Sequence, residues 1–190
     1  GVIGIDFPEN RRFEMSSPGE TTVGFEFHWA LGLPHRFRVD TDEVWRRAGG
    51  AVLVGVPCLR ASPEDALLYH VAHLADHYFG PSLKWLVDLR LMFRMWPIDP
   101  ERLAGRSAAW RVRTALFLAL RHLDRVFPGE SPAGLMEQVA PGSWRSSLLL
   151  GRISPDPLEL LSVTPSSKSP YPLRGLMIDR VRDAFLMAFG

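Results

Sequence analysis

The sequence predicts an α+β fold, in which a short β-rich N-terminal part precedes a mostly α-helical domain. Three observations support this prediction. The first 38 residues are rich in β-forming side chains that partly alternate with polar ones. Helix-start signals recur from residue 40 onward, and apolar side chains follow these signals at helical spacing.

A β-hairpin is predicted near the start of the chain. Two β-rich segments, 12–15 and 22–29, flank a cluster of Ser, Pro and Gly that is typical of a turn. In the second segment, the alternation of a strand places Glu26 and His28 on one face and three aromatic side chains on the other.

A helix and a short β segment follow the hairpin. Asp40 and Glu43 have the spacing of a capping box, so we expect a helix to begin there and to end at Gly49-Gly50. The apolar segment 51–59 contains Pro57, which favours an edge strand or a hairpin arm.

The helical domain is predicted from residue 62 onward. The motif Ser62-Pro63-Glu64-Asp65 combines an N-cap, a first-turn proline and two acids, and it predicts a helix to about Tyr78. A second helix is predicted over 82–95, and a long third helix from Ser107 to about Phe127, each with an apolar stripe.

Beyond residue 131 the pattern is weaker. It predicts short helices at 132–140, 143–151 and 155–162, a Ser/Pro-rich loop at 164–172 and an amphipathic helix at 173–189. We therefore divide the chain into a β-rich part (1–60), a helical domain (61–130) and a C-terminal region (131–190).

Composition argues against several classes of protein. Apolar residues make up 46% of the 190 residues and charged residues 23%, which is typical of a globular chain rather than a disordered one. The formal net charge of +1 gives no global field that would favour nucleic acid or a membrane surface. The single Cys58 excludes an internal disulfide and a multi-cysteine zinc site, and a cytoplasmic location is expected.

The two ends of the chain give further expectations. No apolar run approaches the ~20 residues of a membrane helix, and no signal peptide is recognised at the start. Because the chain starts at Gly1 and its first residues have the character of mid-domain sequence, we expect that a natural N-terminal part is missing.

One strand motif carries the main functional signal. An acid between large apolar side chains on a strand is held rigidly, as Mg²⁺-dependent phosphoryl transfer requires, although a solvated acid on a strand is also common. Residues 25–31 (FEFHWAL) resemble the Glu-x-His-Trp strand of a bacterial nucleotidyltransferase family of polymerase-beta-like fold. Further motifs resemble that family in the same order, at 39–48, 59–65, 70–77 and 83–89.

The resemblance implies a metal-dependent transfer of a nucleoside monophosphate from a nucleoside triphosphate to an unknown acceptor. In that superfamily three carboxylates hold the metal ions, here expected to be Mg²⁺, and Glu26 matches the third. The first two form an Asp-x-Asp pair after a Gly-Ser turn, and nothing before Glu26 matches it. The β-rich part would then be the remnant of a nucleotidyltransferase sheet, in which His28 orients Glu26 or touches the triphosphate.

Three histidines form a second candidate site. His70, His73 and His77 lie within about 60° on one helix face. Three interpretations stay open: hydrogen-bonded residues at a helix contact, groups that face substrate or phosphate, and metal ligands helped by Asp76 or Asp88. The resemblance favours the second, and it makes His73, His77 and Asp88 the candidates for nucleotide contact.

Asp88 is an acid in an otherwise apolar helix, so it needs a partner, for which the histidines or Arg90 are candidates. Two other functions stay open beside the transferase. One is a non-catalytic helical interaction or regulatory module, and the other is a histidine-based metal hydrolase. The expected partners are the nucleotide and its acceptor, without specific nucleic-acid or membrane binding, and the oligomeric state is open.

Overall fold

The fold is described from a computed structural model. The described residues are 2–6, 10–15, 23–28, 31, 36–76, 83–151 and 177–180, and for residues 2–28 only the backbone is described. The predicted short helix at 155–162 and loop at 164–172 lie outside these residues, as does most of the predicted helix at 173–189.

The chain has the predicted α+β architecture, with small antiparallel sheets before a set of helices. The first sheet has the order β1 (Val2–Asp6), β2 (Asn10–Met15) and β3 (Val23–His28). The antiparallel pairing of β2 with β3 confirms the predicted hairpin.

A short helix and a second hairpin follow. Helix α1 (Thr41–Arg47) begins as predicted, because the Asp40 carboxylate accepts a hydrogen bond from the Glu43 backbone N–H at 3.1 Å. The segment predicted as one β element forms both arms of a hairpin, β4 (Gly49–Leu53) and β5 (Val56–Arg60). Its two turn residues both have positive φ, +50° and +79°, which defines a two-residue type I′ turn.

The helices that follow are α2 (Pro63–Asp76), α3 (Leu83–Met95), α4 (Pro100–Ala109), α5 (Arg113–Val126), α6 (Leu135–Val139) and α7 (Ser143–Leu150). Helix α2 starts as predicted, with the Asp65 N–H donating to the Ser62 hydroxyl at 3.3 Å. The predicted short helices at 132–140 and 143–151 correspond to α6 and α7.

The predicted long helix from Ser107 to Phe127 is wrong at its start. In a continuous helix the Trp110 carbonyl would accept from the Thr114 N–H. Instead the Trp110 carbonyl accepts from the Arg38 N–H at 2.8 Å, and the Thr114 N–H donates to the Asp179 carboxylate at 2.9 Å. Arg111 between them has a left-handed φ of +58°, so the chain turns there before α5 begins.

The core lies among the helices, with α2 and α5 at its centre. Leu67 and Leu68 of α2 and Leu116 and Leu120 of α5 are fully buried. Burying each such leucine stabilises the fold by about 2 kcal/mol. The predicted apolar stripe of α5 is confirmed by the burial of Phe117, Leu120 and Leu123.

The segment 177–180 packs on the same helical body. Met177 and Ile178 are fully buried. The Asp179 carboxylate accepts hydrogen bonds from the Arg113 and Thr114 N–H groups, both at 2.9 Å, and so caps the N-terminus of α5. In the segments that the structure describes, no helix combines the length and apolar character needed to cross a bilayer.

Candidate functional site

Glu26 and His28 lie on β3, as predicted. Their backbones face Arg12 and Asn10 of β2 in the antiparallel register. Within the described part of the chain β3 pairs with β2 alone, so among those residues it is one of the two end strands of the sheet. The side chains of β1 to β3 lie outside what the structure describes, and the roles of Glu26 and His28 therefore stay predictions.

The contact between α2 and α3 brings two of the predicted histidines to one tryptophan. His70 Nε2 lies 2.9 Å from the Trp85 backbone carbonyl oxygen, and the His73 ring meets the Trp85 indole edge to face with 5.4 Å between centroids. For His70 this geometry matches the first interpretation, a hydrogen-bonded residue at a helix contact.

The hydrogen bond to Trp85 also indicates which ring nitrogen of His70 carries the proton. Burial lowers the pKa of this imidazole, and the bond to Trp85 and the charge of Asp88 only partly oppose that effect. The neutral ring must carry its proton on Nε2, because a carbonyl oxygen can only accept. Nδ1 is then the hydrogen-bond acceptor of His70.

His73 is exposed, whereas His70 is half-buried. Its imidazole contacts the half-buried Trp85 of α3. His77 lies outside the described residues, so the predicted grouping of all three histidines is not tested there.

Asp88 is half-buried on α3 and accepts from the Lys84 ammonium at 3.2 Å, one turn earlier on the same helix. The prediction of Arg90 as its partner is wrong, because the Arg90 guanidinium donates to Glu130 at 2.8 and 3.0 Å. Glu130 also accepts from Arg94, and these two arginines lower the pKa of its carboxyl. Asp88 still lies close enough to His70 for its charge to raise the imidazole pKa.

Asp76 was a further candidate metal ligand, and the structure places it in an ion pair. Its carboxylate lies 2.5 Å from the Arg36 guanidinium, which is itself buried. Arg36 also donates to the Ala75 carbonyl at the C-terminal end of α2, where a cation is favoured. Among the described residues there is no group of three or more His, Cys, Asp or Glu side chains that could hold a metal ion.

A buried group of charges at the start of α2 was missed by the sequence analysis. The Asp65 carboxylate accepts from Arg47 Nε at 2.8 Å and from Arg47 Nη2 at 3.1 Å, and this interaction raises the pKa of Arg47. The Arg106 guanidinium lies 3.3 Å from Glu64 and 3.2 Å from Asp65. We call Arg47, Glu64, Asp65 and Arg106 the ionic cluster.

The sequence predicted Glu64 and Asp65 as first-turn acids that favour the helix dipole, and both are fully buried instead. Their arginine partners come from α1 and α4, 18 and 42 residues away in the chain. No spacing rule connects residues so far apart. The ionic cluster is fully engaged in internal contacts, so its role is to join three helices.

His122 in α5 is a second buried titratable group that the sequence analysis missed. Burial lowers its pKa to about 4, and the nearby charge of Arg125 acts in the same direction. Its position one turn after Leu118, on an apolar helix face, is the signal that would have identified it.

Comparisons with known proteins bear on the identity of the chain. No curated protein matches it, and no solved structure does. The model of a family described as "Uncharacterised nucleotidyltransferase" matches residues 6–128. That span covers well over half of the 190 residues and contains β3, α2 and α3. This chain therefore belongs to a family of uncharacterised nucleotidyltransferases.

Proposed function

We propose that this chain works as part of a metal-dependent nucleotidyltransferase, which transfers a nucleoside monophosphate from a nucleoside triphosphate to an unknown acceptor. The observation that carries the proposal is the family match, which spans both the strand with Glu26 and the helices with His73 and Asp88. In this reaction an acceptor oxygen forms a bond to the α-phosphorus. The bond between the α-phosphorus and the oxygen that bridges it to the β-phosphorus breaks, and pyrophosphate is released.

Glu26 is the proposed metal ligand. A carboxylate is the oxygen donor that Mg²⁺ prefers, and the paired backbone of β3 fixes the position of residue 26. The bound metal would neutralise charge on the phosphates during the in-line displacement. The remaining carboxylates, an Asp-x-Asp pair after a Gly-Ser turn, have no counterpart before Glu26, so the proposal requires them from polypeptide outside these 190 residues.

His28 is proposed as a positioning residue two positions along the same strand. In an ideal strand residues 26 and 28 share a face, so an imidazole there could orient the Glu26 carboxylate or donate to a phosphate oxygen. The proposal needs no proton transfer by His28.

His73, His77 and Asp88 are proposed to face the nucleotide. Two structural features support this for the described members. His73 is exposed beside the Trp85 indole, and Asp88 is half-buried with the exposed Lys84 ammonium next to it. An imidazole can donate to phosphate, and a carboxylate can accept from a sugar or acceptor hydroxyl.

The proposal is tested by titrating nucleoside triphosphate with and without Mg²⁺, using this chain and a version extended upstream. Binding is measured by calorimetry and turnover by pyrophosphate release. We expect Glu26→Gln to weaken the Mg²⁺-dependent binding by about tenfold or more, because a neutral amide replaces a charged ligand. Glu137→Gln, an exposed change on α6, is the matched control and should bind like the wild type.

Equal binding and turnover by the extended wild type and its Glu26→Gln variant would show that the role given to Glu26 is wrong. If neither wild-type form binds nucleotide in the presence of Mg²⁺, the transferase proposal fails. That result would favour the alternative function, a non-catalytic helical interaction or regulatory module.

A further inference from the structure

The β4–β5 hairpin is an apolar ribbon exposed on both faces. The exposed large apolar side chains of the hairpin are Val52 (70%), Leu53 (69%), Val54 (95%), Val56 (63%) and Leu59 (59%). No charged residue lies between Gly49 and Leu59. A two-stranded ribbon is at best marginally stable in water, and an apolar patch of several hundred Å² on a protein surface marks an interaction site.

The two outer edges of the ribbon differ in their capacity to pair. A two-residue turn makes Leu53 and Val56 a hydrogen-bonded pair, so the next pair, Val52 and Pro57, directs its backbone groups outward. Pro57 has no N–H, which blocks the outer edge of β5 for a further strand. On the outer edge of β4, Gly50 and Val52 present both N–H and C=O groups.

The open edge of β4 has no strand partner within the described part of the chain. The same edge of a second copy could supply the missing hydrogen-bonding partners. In an antiparallel arrangement about a two-fold axis, Gly50 would face Val52 of the partner subunit, and Ala51 would lie on the axis. Gly50 and Val52 could then exchange backbone hydrogen bonds with the partner on both sides of the axis, and the short side chain of Ala51 allows the two strands to approach.

We propose that β4 pairs with β4 of a second copy of this chain, which creates a four-stranded antiparallel sheet across a two-fold axis. The absence of charge on β4 favours this occupant. Nucleic acid or an anionic membrane would need several basic side chains here, and Arg60 at the end of β5 is a single one. The uncharged strand β4 is not repelled by its own copy.

The number of open edges agrees with a dimer. Because Pro57 blocks the second edge, association ends at two copies instead of continuing into a fibre.

The test measures the mass of the full chain by sedimentation velocity and light scattering, over about 1 to 100 μM protein with a reductant that keeps the exposed Cys58 reduced. We expect a species at twice the 21.4 kDa of one chain. Ala51→Lys and Ala51→Glu should each shift the mass to that of a single chain, because like charges would meet on the axis. An equimolar mixture of these two variants should restore the dimer.

Met95→Lys is the matched control, because it adds the same charge at an exposed apolar position outside the hairpin, and it should remain a dimer. Three results would overturn the proposal. They are a wild type that stays monomeric throughout, a dimer that both Ala51 variants leave intact, and assemblies larger than two that Ala51→Lys does not remove. Failure of the mixed variants to associate, with both folded by circular dichroism, would also count against it.

Discussion

His122 is a buried, neutral imidazole in the C-terminal half of α5. Burial lowers its pKa to about 4, whereas the same side chain in the unfolded chain has an ordinary pKa near 6.5. Between these two values the unfolded state binds a proton that the folded state does not bind. The stability of the fold must therefore fall as the pH is lowered through this interval.

We expect the free energy of unfolding to fall by about 3 kcal/mol from His122 alone as the pH drops from 7 to 4. His70, whose pKa is also lowered by burial, adds to the effect in the same direction. The measurement is urea unfolding at several pH values for the wild type and for His122→Gln. The variant should show a shallower dependence on pH, and identical slopes would contradict the buried neutral state of His122.

At the scale of single residues, the sequence predicts the local contacts correctly but not the burial of charged side chains. The caps at Asp40 and Ser62 depend on backbone groups three residues away, so the sequence predicts them. The burial of Asp65 depends on Arg47 and Arg106, which no local pattern connects to it. For the candidate site, the spacing of the histidines along the sequence predicts that they share one helix face. It does not predict that Trp85 contacts both His70 and His73.

At the scale of elements, the break between α4 and α5 is the main departure from the predicted fold. Residues 107–127 have helical periodicity throughout, and the sequence alone gives no stop signal between them. Two long-range hydrogen bonds, from Arg38 to Trp110 and from Thr114 to Asp179, take the groups that a continuous helix would pair with each other. Tertiary contacts thus override a local pattern.

The Asp179 carboxylate acts as an N-cap supplied from 65 residues away, because Val112 at the start of α5 offers no side-chain hydrogen bond. Replacing Asp179 by alanine should lower the free energy of unfolding by about 1 to 2 kcal/mol, the usual effect of losing a helix cap. Urea unfolding at pH 7 measures it. Glu137→Ala on the exposed face of α6 is the control, and an equal effect of both changes would refute the capping role.

At the scale of the whole molecule, the ionic cluster joins α1, α2 and α4 through two carboxylates that are removed from water, Glu64 and Asp65. When one partner of a buried ion pair is removed, the other charge stays buried without a partner. The free energy of unfolding then falls by more than the intact pair contributes to it. The guanidinium groups of Arg47 and Arg106 are partly accessible to solvent, which limits the loss.

We expect Asp65→Ala to lower the free energy of unfolding by about 3 kcal/mol. Arg46→Ala removes a surface pair with Glu43 and should change the stability by less than about 1 kcal/mol. Chemical denaturation of both variants at neutral pH compares them. If Asp65→Ala proves as mild as Arg46→Ala, the ionic cluster does not join the helices in the way described.

The burial of Met177 against the helical body has a consequence for where this protein may be shortened. Leu135, Val139, Leu149 and Met177 are fully buried and belong to the same apolar cluster as Leu116. All four follow residue 128, at which the region shared with the family stops. A polypeptide trimmed to that shared region would leave the inner sides of α4 and α5 open to water. Experiments on the shared region therefore need the residues after 128 as well.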